Sequence, residues 1–164
     1  MKAQANAATC TQCDLDLCEF SPNGRTSART KVLIADNYYQ MAQRMRELVS
    51  GPFDLAGTAE TGADALRLAM ELNPQVLILS LFLPDMDGRE VARQLKQKGC
   101  KTKIAFASVS LNPDDIDSCL KAGGDAYVMK LRLVTDLVSA VNKALMGERF
   151  VSRLSKKEET SDNS

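Results

Sequence analysis

Two kinds of hydrophobic pattern alternate along this chain. Val32-Leu33-Ile34-Ala35, Val76-Leu77-Ile78-Leu79, Ile104-Ala105-Phe106-Ala107 and Ala126-Tyr127-Val128-Met129 are short, unbroken apolar runs. Runs of that length, bounded by polar residues, suit strands covered on both faces. Phe53 to Ala59 has fewer large apolar residues and reads as an edge strand. The second pattern is helical. Met41, Met45, Leu48 and Val49 fall at i, i+4, i+7 and i+8, one stripe of a helix. Leu66, Ala69, Met70 and Leu72 supply a second stripe, and Val91, Ala92 and Leu95 a third. Val134, Leu137, Val138, Val141 and Leu145 supply a last one.

Helix boundaries are marked by local chemistry. Thr61 can cap the helix that follows it. Asp87 with Glu90 forms a capping-box pattern for a helix from about Gly88 to Lys98. Asn112-Pro113-Asp114-Asp115 combines a cap, a proline at the first helical position and acids facing the positive end of the dipole. Gly51-Pro52, Asn73-Pro74, Gly123-Gly124 and Gly147 are stop signals. Strands and helices alternate, which predicts an α/β fold: a doubly wound, five-stranded parallel sheet with right-handed crossovers and helices on both faces. The ordered domain is expected over residues 31–150. Residues 1–30 read as a disordered, cysteine-containing tail and linker, and 151–164 as a disordered, polar C-terminal tail.

Composition narrows the chemistry. Lysine plus arginine equals aspartate plus glutamate, 21 each, so no global charge argues for nucleic acid or an anionic membrane. No apolar run is long enough to span a membrane and the first residues lack the core of a signal peptide, so a cytoplasmic location is expected. Five cysteines argue against a disulfide framework. The absence of histidine removes the usual general base and the commonest metal ligand. Cys10, Cys13 and Cys18 form a weak thiol cluster with a zinc-like Cys-x-x-Cys spacing, but a structural zinc site wants four ligands. Cys100 reads as a loop thiol and Cys119 as a thiol on a helix face.

The polar residues that end the apolar runs carry the functional signal. They are Asp36-Asn37, Ser80, Ser108 and Lys130, and in an open parallel sheet ligands gather outside the carboxyl ends of the strands. With Leu83-Pro84-Asp85-Met86-Asp87-Gly88, the stretch from Ala122 to Lys130 and the stretch from Gly147 to Ser152, this set resembles the receiver domain of two-component response regulators. The likeness is to CheY-like receivers, in particular those of the LuxR/NarL/FixJ type. It covers roughly residues 31–150 and implies the flavodoxin-like strand order 2-1-3-4-5.

The resemblance assigns roles. Asp36 matches the first of two acids that help hold magnesium, Ser108 the hydroxyl that bonds a phosphoryl oxygen, and Lys130 the charge-balancing lysine. Tyr127 falls at the switch aromatic. Two positions depart from the pattern: Asn37 replaces the second acid, and Ser80 replaces the aspartate that accepts the phosphoryl group. A serine hydroxyl is a weak nucleophile without a base, and a site with one carboxylate and one lysine has little pull on a dication. No metal or cofactor is therefore expected, with Asp36 and Asp85 the remaining weak cation candidates. Asp36 and Lys130 are expected to pair, with Ser80 and Ser108 beside them. Tyr38-Tyr39 lie over the site or pack at a helix start.

The expected function is non-enzymatic. It is a stand-alone, atypical receiver that acts without phosphorylation by binding a protein: a histidine kinase, a response regulator or an output protein. The contact surface is placed at about residues 112–146, and homo- or heterodimers are compatible with it. The alternatives are a phosphotransfer receiver with a relocated acceptor and a regulator of transcription acting through a LuxR-type partner. The polar residues 152–164 carry no basic recognition stripe, so direct nucleic-acid binding is not expected.

Overall fold

The computed structural model describes residues 29–153. Cys10, Cys13, Cys18 and residues 154–164 lie outside them. The strands are β1 (Lys31–Ala35), β2 (Asp54–Ala59), β3 (Val76–Ser80), β4 (Lys103–Ser108), β5 (Ala126–Met129) and β6 (Phe150–Val151). The helices are α1 (Tyr39–Ser50), α2 (Gly62–Leu72), α3 (Gly88–Gln97), α4 (Pro113–Lys121) and α5 (Leu133–Leu145), with a 3-10 turn at Lys130–Arg132 before the last. The sheet is wholly parallel, in the order β2-β1-β3-β4-β5-β6.

Alternation along the central strands sorts the core into two layers. Leu77 and Leu79 of β3 face a layer containing Ala65 and Ala69 of α2, Val91 and Leu95 of α3 and Cys119 of α4. Val76 and Ile78 face the opposite layer, with Met45 and Val49 of α1 and Leu137 and Val141 of α5. Helices thus cover both faces, and the edge position expected for the Phe53–Ala59 run is the one β2 occupies.

The sheet has six strands, where the sequence leads us to five. After α5 the chain turns at Gly147, whose φ of 79° lies in the left-handed region that glycine reaches without penalty. It then runs beside β5, where Phe150 N–H donates to the Asp125 carbonyl at 3.4 Å and Ser152 N–H to the Tyr127 carbonyl at 2.9 Å. A two-residue strand is too short to show any periodicity. Val151 and Ser152, assigned from sequence to the tail, therefore belong to the sheet edge, and Ser152 is buried.

Three smaller expectations change. Val134 is exposed, and the buried stripe of α5 is Leu133, Leu137, Ala140, Val141 and Ala144. Met70 of α2 is also exposed, while Ala65 takes the inward position. At the start of α3, Asp87 caps the Arg89 N–H at 2.8 Å, but Glu90 turns to Arg93 and Gln94 instead of completing a reciprocal box.

Candidate functional site

The carboxyl ends of β1, β3 and β4 and the turn after β5 open onto one pocket of about 480 Å³. Asp36, Asn37, Ser80, Ser108 and Lys130 all line it, together with Tyr38, Met41, Phe82 and Val109. Five residues spread over 94 positions of sequence are brought together because parallel strands all end on the same side of the sheet.

At the floor, Lys130 Nζ lies 2.6 Å from Asp36 Oδ2, with the Asp36 side chain fully buried and that of Lys130 only 10% exposed. The other carboxylate oxygen, Oδ1, accepts the Tyr38 N–H at 2.8 Å. Lys130 Nζ also reaches Ser80 Oγ at 3.4 Å, and Ser80 Oγ in turn donates to the Phe82 carbonyl at 3.4 Å. Ser108 Oγ accepts the Ser110 N–H at 3.1 Å. Asn37 sits exposed at the rim. The site thus holds one anion paired with one cation, with two buried hydroxyls beside them.

These residues do not fit a magnesium ion. Among the described residues Asp36 is the only carboxylate lining the pocket, and both of its oxygens are engaged, one by an ammonium. Magnesium is usually held by one or two free carboxylates and keeps several waters. Asp85, the other cation candidate, is turned elsewhere. Its Oδ1 accepts the Gly62 N–H at 2.6 Å and its Oδ2 the Ala63 N–H at 2.9 Å, capping α2. Those two backbone donors hold its carboxyl below the usual carboxylate range. Among the described residues no group of three or more His, Cys, Asp or Glu is placed to hold a metal ion.

Tyr127 is fully buried, and its hydroxyl donates to the Ser110 carbonyl at 2.8 Å. Burial pushes its phenol above the ordinary tyrosine value. The Ser108–Ser110 segment is thereby tied at both ends, to β4 by its own turn and to β5 by the tyrosine. Of the two neighbouring tyrosines only Tyr38 lines the pocket, while Tyr39 points to solvent at 73% exposure. Cys119 is buried, and burial pushes its thiol up to about 12. Cys100 donates to Thr102 Oγ1 at 3.2 Å, away from the site.

Two polar networks were not legible in the sequence. Arg89 joins Asp87, Ser118 and Asp115, tying α3 to α4. Asp136 of α5 is buried and takes Ser152 Oγ at 2.6 Å, Thr135 Oγ1 at 2.8 Å and Arg132 Nε at 3.1 Å. The i,i+4 spacing of Arg132 and Asp136 hints at a pair, but the same spacing usually marks an exposed one.

Residues 32–142 match the family model described as the response regulator receiver domain. The nitrate/nitrite response regulator protein NarL of Escherichia coli K12 is 31% identical over 123 residues, which are 74% of this chain and 57% of that protein. The response regulator protein VraR of Staphylococcus saprophyticus is 27% identical over 120 residues, 72% of this chain and 57% of that protein. The chain thus spans a little over half the length of these curated relatives. Among solved structures, the signal receiver domain of the putative response regulator NarL from Mycobacterium tuberculosis superposes with a TM-score of 0.71 at 25% identity, covering 73% of this chain and 98% of that one. A DNA-binding response regulator of the LuxR family from Staphylococcus aureus gives 0.67 at 30% identity, covering 71% and 98%.

Proposed function

The chain belongs to the response regulator receiver domain family of two-component signalling, and from that premise we propose that it signals without being phosphorylated, by binding another protein. The observation that carries the proposal is the 2.6 Å ion pair between Lys130 and Asp36. The lysine that would balance a phosphoryl group is already balanced, and the carboxylate that would help hold a cation is already paired. Ser80, at the acceptor position, has an ammonium and a carbonyl as its neighbours, and neither takes a proton from a hydroxyl. The same lack of a base supports a non-enzymatic role.

The contact surface we assign is about residues 112–146. Leu131 and Val134 are exposed there at 74% and 60%, with Met146 at its margin at 65%. The partner would be a histidine kinase, another response regulator or an output protein, and the site needs no cofactor to present this surface.

The test is chemical. The full chain is incubated with acetyl phosphate and magnesium and its intact mass is measured. No gain is expected. A stable gain of one phosphoryl group on Ser80 or Asp36 overturns the proposal, and Asp36→Asn would locate it. The Asn37→Asp/Ser80→Asp double variant, which restores the missing carboxylates, is expected to gain a phosphoryl group under the same conditions. That outcome would identify charge, not shape, as what the native pocket lacks.

A further inference from the structure

The walls of the pocket are as unlike an anion site as its floor. Tyr38, Phe82 and Val109 line it and are exposed at 59%, 55% and 62%. Single exposed apolar residues are ordinary, but several converging on one concavity mark a binding site. A volume of about 480 Å³ lies within the small-molecule range of roughly 300–1,000 Å³.

The floor specifies the head group. Asp36 and Lys130 cancel, so the site offers no net attraction to a dianion. Ser80 is 3% exposed, yet both contacts of its hydroxyl are 3.4 Å long, at the weak limit for such bonds. A buried hydroxyl so poorly satisfied gains from an oxygen placed at normal distance. Lys130 has three N–H donors, and among the described residues Asp36 and Ser80 take two.

We infer that this pocket binds a small uncharged molecule with an apolar, ring-bearing body and one hydroxyl or carbonyl oxygen. The oxygen sits at Ser80 and Lys130, and the body lies against Phe82 and Val109. The inference rests on the reading that no phosphoryl group occupies the site, and it supplies the signal that such a group would otherwise bring.

The full chain is titrated with 1-naphthol and followed by amide nitrogen–proton NMR, with naphthalene and 1-naphthyl phosphate plus magnesium as comparison probes. Saturable shifts are expected at Asn37, Ser80 and Val109, with naphthalene several-fold weaker. Ser80→Ala should weaken 1-naphthol roughly three- to tenfold. Phe82→Asp should weaken it by about tenfold or more, with Val109→Asp as the second variant if the first does not fold. Met70→Asp, an exposed apolar position outside both the pocket and residues 112–146, should leave binding unchanged.

Shifts scattered over the surface, no saturation, or indifference to both rim variants overturns the inference. Rim variants that dissociate a dimer and leave 1-naphthol binding intact also overturn it, and assign the rim to a second copy. Tighter binding of the naphthyl phosphate with magnesium overturns both this inference and the reading beneath it. Absence of 1-naphthol binding without phosphoryl uptake overturns this inference alone.

Discussion

Asp36 has no solvent-exposed side-chain surface and one ammonium partner. That combination makes the pair asymmetric in its consequences. Two charges held this far from water gain little over a well-packed neutral pair, but removing one partner strands the other. Lys130→Met should therefore destabilise the chain by about 3–5 kcal/mol. Adding Asp36→Asn to it should restore most of that loss, and denaturant melts of the two variants read the difference. If Lys130→Met leaves the midpoint unchanged, water reaches Asp36 and the site is less closed than its geometry indicates. Cys119 illustrates the opposite case, a buried group kept neutral, since burial pushes its thiol up to about 12, which keeps it protonated throughout the physiological range.

At the scale of elements, the start of α3 is a tight junction with the end of β3. Gly88 N–H donates to the Leu81 carbonyl at 2.7 Å, and a Cβ at Gly88 would lie 2.3 Å from the Ser80 carbonyl oxygen. That contact is with backbone and cannot be relieved by a rotamer change. Gly88→Ala should cost about 2–4 kcal/mol, measured by thermal or urea unfolding, and should shift Ser80 as it does so. The sequence marks this place through Asp87-Gly88, because caps and glycines are local features. The same holds for most of the other strands and helices, whose boundaries rest on caps, stops and runs of four apolar residues. The short strand β6 is not local in this sense, since its partner is β5 and its own two residues carry no pattern. That the site residues share one pocket was legible for a related reason. Ser80 and Ser108 end a strand, Asp36 and Lys130 directly follow one, and topology alone brings strand ends together. Side-chain direction was not legible. Asp85 lies in the loop between β3 and α3 yet aims its carboxylate at α2, which only the observed bonds to Gly62 and Ala63 disclose.

For the molecule as a whole, acid stability and the sheet edge meet at one cluster. Burial pushes the Asp136 carboxyl up, but bonds from Ser152, Thr135 and Arg132 outweigh it, and the net direction is down. A carboxyl depressed in the folded state contributes stability that is full above its ordinary value near 3.8 and is lost as pH falls through the lower folded value. Asp136→Asn should therefore be less stable than the native chain at neutral pH, and the gap should narrow as pH falls below about 4. Melting curves between neutral pH and the acid limit test the sign; a gap that widens in acid contradicts it.

The short strand β6 also has a bearing on solubility. Without it, the Asp125 and Tyr127 carbonyls that the Phe150 and Ser152 N–H groups now engage would belong to an open edge, the kind of row on which chains stack into aggregates. A version cut after Glu148 should scatter light and elute as heterogeneous, high-mass species, while one cut after Arg153 should not. Two residues at the rim of the sheet would then act as its gatekeeper, keeping the chain from becoming the template for a filament.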